Sequence, residues 1–204
     1  MKLYIVRHGE TLFNYKHLVQ GWCDSPLTEK GVMQAKYVGY GLKDIPFGHA
    51  FCSTSERTFD TARNIIGDRN ISLVQRKDLK EMHFGTIEGD VMSDVFMECM
   101  RNEGGFSKFG GETIKEAGER ALHAWKTIAE AHPDENVLIV THGGVIMNGM
   151  NTLDHRLVEE MQKKGVFAEN CCVSVVDYTN GELKIEKYCS LEYRQKGEQY
   201  YAIS

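Results

Sequence analysis

Two histidines in this chain each follow a short apolar run, and each is followed by glycine. His8 stands in Arg7-His8-Gly9-Glu10-Thr11 after Leu3-Tyr4-Ile5-Val6, and His142 stands in Thr141-His142-Gly143-Gly144 after Val137-Leu138-Ile139-Val140. An imidazole can serve as nucleophile, acid or base near neutral pH. The glycines let the backbone turn sharply and bring its N–H groups close to an oxygen-rich ligand. Arg7 adds a planar fork of donors that matches an oxyanion. One such motif alone reads as an ordinary strand end with a hydrogen-bonded loop histidine. Two of them, both at the ends of apolar runs, point to one anion site.

Two further features fall in comparable places. The run Ala50-Phe51-Cys52-Ser53 leads into Thr54-Ser55-Glu56-Arg57, where Arg57 could reach the same edge and grip the same anion as Arg7. Leu79-Lys80-Glu81-Met82-His83 puts Glu81 in a loop after the strand candidate Ile71 to Gln75. Taken singly, Arg57 reads as a surface arginine and Glu81 as a solvated carboxylate.

The elements that must position these groups are legible as patterns. Unbroken apolar runs of this length suit strands buried on both faces, and Cys172 to Tyr178, rich in valine, is a further strand candidate. Between them lie segments of helical period. Thr28 heads one carrying Val32, Ala35, Val38 and Leu42; Ser55 heads another carrying Phe59, Ala62 and Ile66. Thr113-Ile114-Lys115-Glu116 is a capping box, and Ala117, Ala121, Trp125 and Ile128 follow at spacings of three and four. Asn180-Gly181 separates two strand-like stretches and predicts an antiparallel hairpin. The expected fold is α/β, three-layer α/β/α, with a mixed but mostly parallel sheet and helices on both faces. In such sheets ligands bind beyond the carboxyl ends of the strands, where both histidines would stand. A single domain over 1–204 is expected, with an insert or lid at about 90–112, where periodicity is weak and Gly-Gly pairs occur.

Bulk composition narrows the function classes. Hydrophobic residues make up 42% and charged residues 26% of 204 residues, an ordinary globular balance. A net charge of −5 gives no general attraction to nucleic acid or to an anionic membrane. No segment approaches the ~20 apolar residues of a membrane span, and the beginning of the chain lacks the pattern of a secretory signal. Six cysteines without a CxxC or a regular framework suit a reducing compartment, so a cytoplasmic location is expected. Eight histidines raise a metal reading, but there is no HExxH, HxH or zinc-finger spacing. His17, His49, His123 and His132 read as surface or helix residues, and no metal or cofactor is expected. Trp22, Phe106 and Phe109 read as packing aromatics more than as pocket walls.

The ordered set of short motifs resembles the histidine phosphatase superfamily in its phosphoglycerate-mutase-like branch. It comprises Arg7-His8-Gly9-Glu10-Thr11 with Asn14, Gln20-Gly21, Pro26-Leu27-Thr28, Ser53-Thr54-Ser55-Glu56-Arg57, Glu81 with Phe84-Gly85, Gly110-Gly111-Glu112, and Thr141-His142-Gly143-Gly144. The resemblance implies that His8 is a nucleophile that takes up a phosphoryl group. It implies that Arg7, Arg57 and His142 hold the phosphoryl oxygens, that Asn14, Gln20, Gly21 and the Gly143 N–H add contacts, and that Glu81 protonates the leaving oxygen. The implied partner is a small phosphorylated metabolite, and the oligomeric state is left open, a homodimer included. In mutases of this family the acid is followed by an arginine and an insertion carries an arginine pair. Here Met82 follows Glu81, and Asp90 to Glu112 holds only Arg101 and Lys108 as bases. A phosphatase is therefore expected ahead of a cofactor-dependent phosphoglycerate mutase, and ahead of a non-catalytic phospholigand-binding protein, since all five candidate catalytic residues are present.

Overall fold

The structure, a computed structural model, describes residues 1–203. In chain order it places β1 (Lys2–Arg7), the short α1 (Leu12–Tyr15), α2 (Glu29–Gly41), β2 (Phe47–Ser53), α3 (Glu56–Ile66) and β3 (Ser72–Arg76). After them come α4 (Asp94–Arg101), α5 (Ile114–Ala131), β4 (Asn136–Thr141), α6 (Gly143–Leu153), α7 (His155–Lys163), β5 (Val173–Thr179), β6 (Glu182–Ser190) and α8 (Glu192–Tyr201). The strands form one six-stranded sheet in the order β3-β2-β4-β1-β5-β6. The first four of that order run parallel, and β5 and β6 are antiparallel additions. The fold is the mixed, mostly parallel α/β sandwich that the apolar runs predict.

Alternation along each strand divides the core between two faces. Leu3 and Ile5 of β1 with Val137 and Ile139 of β4 face α5, α6 and α7 through Trp125, Ile128, Ile146 and Val158. Tyr4, Val6, Leu138 and Val140 face α2, α3 and α8 through Ala35, Val38, Ile65 and Tyr193. A strand whose residues are buried on both sides needs no polar alternation, which is why β1 and β4 read as unbroken apolar runs.

The helix starts follow their caps. Thr28 accepts from the Gly31 N–H at α2, and at α5 Thr113 and Glu116 exchange both bonds of a capping box. Asn180 and Gly181 both have positive φ at the β5–β6 hairpin, the backbone a tight two-residue turn requires.

Two features differ from the sequence expectation. Segment 90–112 contains α4, capped by Ser93 onto the Phe96 N–H, and Phe96 and Phe106 pack with Phe84 in a small third core. On α3 the buried residues are Arg57, Thr58, Thr61, Ala62, Ile65 and Ile66, so Ala62 and Ile66 face inward as expected while Phe59 is 36% exposed. A buried arginine displaces the apolar pattern of this helix.

Candidate active site

β1, β4 and β2 end side by side, and the residues that follow them meet at one sheet edge. β1 delivers Arg7 and His8, β4 delivers His142, and β2 leads through Ser53 into α3 and Arg57. His8 is anchored from both sides of its turn. Its own N–H donates to the Thr141 carbonyl at 3.0 Å, and the Gly9 N–H donates to Thr61 Oγ1 at 3.0 Å. The His8 and His142 rings lie edge to face, with centroids 5.3 Å apart.

Each imidazole has its tautomer set by neighbours. His8 Nδ1 lies 2.8 Å from the Gly9 carbonyl oxygen, which can only accept, so Nδ1 carries the proton and Nε2 keeps its lone pair. His142 Nδ1 accepts from Arg57 Nε at 3.2 Å, which leaves the His142 proton on Nε2, facing Ser53 Oγ at 2.9 Å. Both rings are buried. Burial first, then the charge of Arg57, lowers the pKa of each imidazole well below its ordinary 6.5; Arg7 pushes the same way. Two neutral histidines beside two guanidinium groups result.

Glu81 is 6% exposed and sits on the N-terminus of α6. Its Oε2 accepts from the Gly144 N–H at 3.0 Å, and its Oε1 from the Val145 and Met82 N–H groups at 3.0 and 2.8 Å. Burial raises its carboxyl pKa, and the amides with Arg57 and Arg7 pull the other way. A Cβ at position 144 would lie 2.7 Å from Glu81 Oε1 and would push the carboxylate from this position. The Glu81 main chain is held by Arg120 of α5, which donates to the carbonyls of Asp78, Lys80 and Glu81 and pairs with Glu112 at 2.7 Å. Trp22 Nε1 adds a bond to the Glu81 carbonyl at 3.0 Å.

A pocket of about 150 Å³ opens among these groups. Arg7, His8, Asn14, Gln20, Glu81 and Gly143 of the sequence-derived set line it. Arg7 donates from Nη1 to the Ala168 carbonyl at 2.5 Å, and its buried Nε has no hydrogen-bond partner among the described residues. An unpaired buried guanidinium N–H is a costly arrangement, and the same side chain lines the pocket. Gln20 is held by Thr11 and Ser25, and Asn14 by Thr11 and Asn170. His142, Arg57 and Gly21 stand one layer behind. Arg57, with no exposed surface, donates to His142, to the carbonyls of Gly21 and Cys23, and to Asp24 at 2.8 Å.

The remaining wall comes from Gly144 and Phe84, quoted in the sequence only as parts of family motifs, and from residues that sequence reasoning missed: Met92, Phe96, Met100, Met147 and Ala168. Phe106 is instead fully buried in the third core, and Phe109 packs against that core. Asn170 and Arg120 are likewise supports without a sequence signal of their own, and Ser53 stands in a family motif that does not mark it as one. Only their contacts reveal them.

The model for the histidine phosphatase superfamily (branch 1) matches residues 3–190 of this chain. The chain belongs to that superfamily. Among its relatives, this histidine phosphatase superfamily member is 31% identical over 175 residues to 2,3-bisphosphoglycerate-dependent phosphoglycerate mutase 2 of Gloeobacter violaceus, covering 79% of each chain. It is 33% identical over 153 residues to adenosylcobalamin/alpha-ribazole phosphatase of Salmonella typhimurium, covering 72% of this chain and 76% of that one. Its fold superposes on Bacillus stearothermophilus YhfR with a TM-score of 0.85 and 30% identity, over 95% and 98% of the two chains. Mutase and phosphatase relatives stand at similar distance, so the activity of this member has to be argued from its site. No helix among the described residues is long and apolar enough to cross a membrane.

Proposed function

We propose that this protein is a phosphatase that hydrolyses a small phosphomonoester through a phosphohistidine on His8. The observation that carries the choice of phosphatase over mutase is the pocket wall. Among the described residues, Arg7 is the only arginine or lysine lining the pocket, and Phe84, Met92, Phe96, Met100 and Met147 supply its apolar wall. A phosphoglycerate mutase has to hold a carboxylate and two phosphate positions, which calls for several cations where this wall has thioethers and phenyl rings. Such a wall suits the uncharged body of an alcohol.

In this reading the His8 Nε2 lone pair attacks phosphorus while the ester P–O bond breaks. The neutral state of His8 and its Nδ1–H bond to Gly9 prepare that lone pair. Arg7, the Gly143 N–H, Asn14 and Gln20 take the equatorial oxygens. Arg57 supplies charge from behind, through His142, so the site needs mainly positioning and electrostatic stabilisation. Glu81, whose burial already favours the protonated form, gives its proton to the leaving alkoxide; an adjacent phosphate dianion would push its pKa further up. Water then attacks phosphorus and returns a proton to the Glu81 carboxylate as the P–N bond breaks. Alcohol and inorganic phosphate leave.

The test is a panel of phosphomonoesters assayed for phosphate release, with 3-phosphoglycerate isomerisation measured alongside. Phosphate release from esters of uncharged alcohols, faster than any isomerisation, is the expected result. Isomerisation that outruns hydrolysis would replace this reading with the mutase.

A further inference from the structure

At the amino end of the sheet, remote from the pocket, three side chains converge that the reaction does not use. His49 near the start of β2, and His132 and Glu135 in the turn between α5 and β4, come together although His49 and Glu135 are 86 positions apart in sequence. Glu135 Oε1 lies 2.6 Å from Nδ1 of His49 and 2.6 Å from Nδ1 of His132. The two ring centroids are 4.2 Å apart, and Phe51 packs against both. All three groups are partly buried, with a donor atom from each within 4.8 Å of the others.

From this geometry we infer that His49, His132 and Glu135 form a binding site for a divalent zinc-type ion. Two borderline imidazole nitrogens and one hard carboxylate oxygen make a donor set that suits zinc, and three protein ligands leave a fourth position for water. Zinc bonds of about 2.0–2.1 Å in tetrahedral array put neighbouring donors roughly 3.3 Å apart, so each nitrogen–oxygen pair has to open by only about 0.7 Å. A groove of about 410 Å³ is lined by Glu135 together with Pro46, Phe47, Gly48, Pro133 and Asp134, and all three ligand side chains keep part of their surface exposed.

A second observation shows that the backbone makes room for this arrangement. A Cβ at position 48 would overlap Glu135 Oε2, so the carboxylate rests where any other residue would carry a side chain. The β2–β4 register also shifts between Phe47 and His49, beside the α5–β4 turn. A bound ion would tie that turn to β2. Because it binds the native chain and not the dispersed ligands of the unfolded one, it would raise thermal stability.

Calorimetric titration of the full-length protein with zinc chloride near neutral pH tests the site. One zinc ion per chain should bind with a dissociation constant of about 1 µM or tighter. The same binding should persist in His8→Ala, which removes a histidine of the other site. Glu135→Gln and His49→Ala should weaken it by about a hundredfold or more. Gly48→Ala keeps all three ligands and should weaken it as well, with the fold checked by far-ultraviolet circular dichroism. Added zinc should raise the Tm of the native protein but not that of Glu135→Gln. The absence of saturable zinc binding overturns the inference, as does equal affinity in the native protein, Glu135→Gln and His49→Ala.

Discussion

The two ends of the sheet carry the same trio, two histidines and a glutamate, in opposite surroundings. At the carboxyl end, His8, His142 and Glu81 are buried, and each spends its hydrogen bonds on other groups: Gly9, Ser53 with Arg57, and the amides of Met82, Gly144 and Val145. At the amino end, His49, His132 and Glu135 reach solvent, and both imidazoles bond to the one carboxylate. The charges of Arg7 and Arg57 help keep the first pair of imidazoles neutral, whereas the second pair faces the negative charge of Glu135. Residue type is therefore a poor guide to chemistry. What decides is where the remaining atoms are bound: fixed tautomers and a helix terminus suit phosphoryl transfer, whereas two imidazole nitrogens converging on one carboxylate oxygen suit an ion that replaces their protons.

The comparison breaks most severely if the two trios are interchangeable in activity. Replacing His8 by alanine should lower turnover by at least about 10⁴-fold, because the nucleophile is removed and not merely displaced. A brief pulse of labelled phosphate donor should leave an acid-labile, base-stable phosphoryl group on the native protein and none on His8→Ala. His49→Ala should keep both the label and the turnover. A label on serine, cysteine or aspartate would remove His8 from its proposed place.

A smaller effect sharpens the contrast between the two glutamates. Glu81→Gln keeps the shape of the side chain but cannot deliver a proton, and general acid catalysis is worth about 10²–10⁴-fold. With an alkyl phosphate, kcat should fall by that order. With p-nitrophenyl phosphate, whose phenolate leaves unaided, the fall should be much smaller. Glu135→Gln should change neither rate. Equal losses on both substrates for Glu81→Gln, at unchanged Tm, would show that another group such as His83 or Glu88 is the acid.

Much of this is legible in the sequence, for reasons that differ by element. The run Leu3 to Val6 declares itself a strand because burial on both faces leaves no polar position, and Thr113 to Glu116 and Asn180-Gly181 declare themselves through local bonding rules. Arg7, His8, Asn14, Gln20, Glu81 and Gly143 are legible as one site because they directly follow strands or recur in family motifs. The family motif puts Arg57 at the anion itself; in the structure it does not line the pocket, and its donors bond to four protein acceptors. α4 is unreadable because its apolar face serves a small satellite core and the pocket. The wall of Met92, Met100 and Met147 comes from separate segments, and methionine carries no spacing signal. The His49–Glu135 pairing depends on a crossover that no local pattern encodes.

The smallest expected effect concerns stability against pH, and its sign follows from the lowered pKa of His8 and His142. As pH falls through 6.5, an unfolded chain takes up a proton at each imidazole, while the native site stays neutral until much lower pH. The unfolded state then binds more protons, so native stability should decrease on acidification across that window. Each excess proton is worth about 1.4 kcal/mol per pH unit. Glu81, with a raised pKa, acts with the opposite sign above its ordinary 4.5, and the lowered Glu135 matters only below that value. Comparing native protein with His8→Gln isolates the histidine. Urea melts at about pH 7 and about pH 5 should show a slope for the variant that is shallower by up to about 1.4 kcal/mol per pH unit. Parallel slopes would mean that His8 is as readily protonated in the native state as in the unfolded chain, and the proposed neutral nucleophile would lose its physical basis.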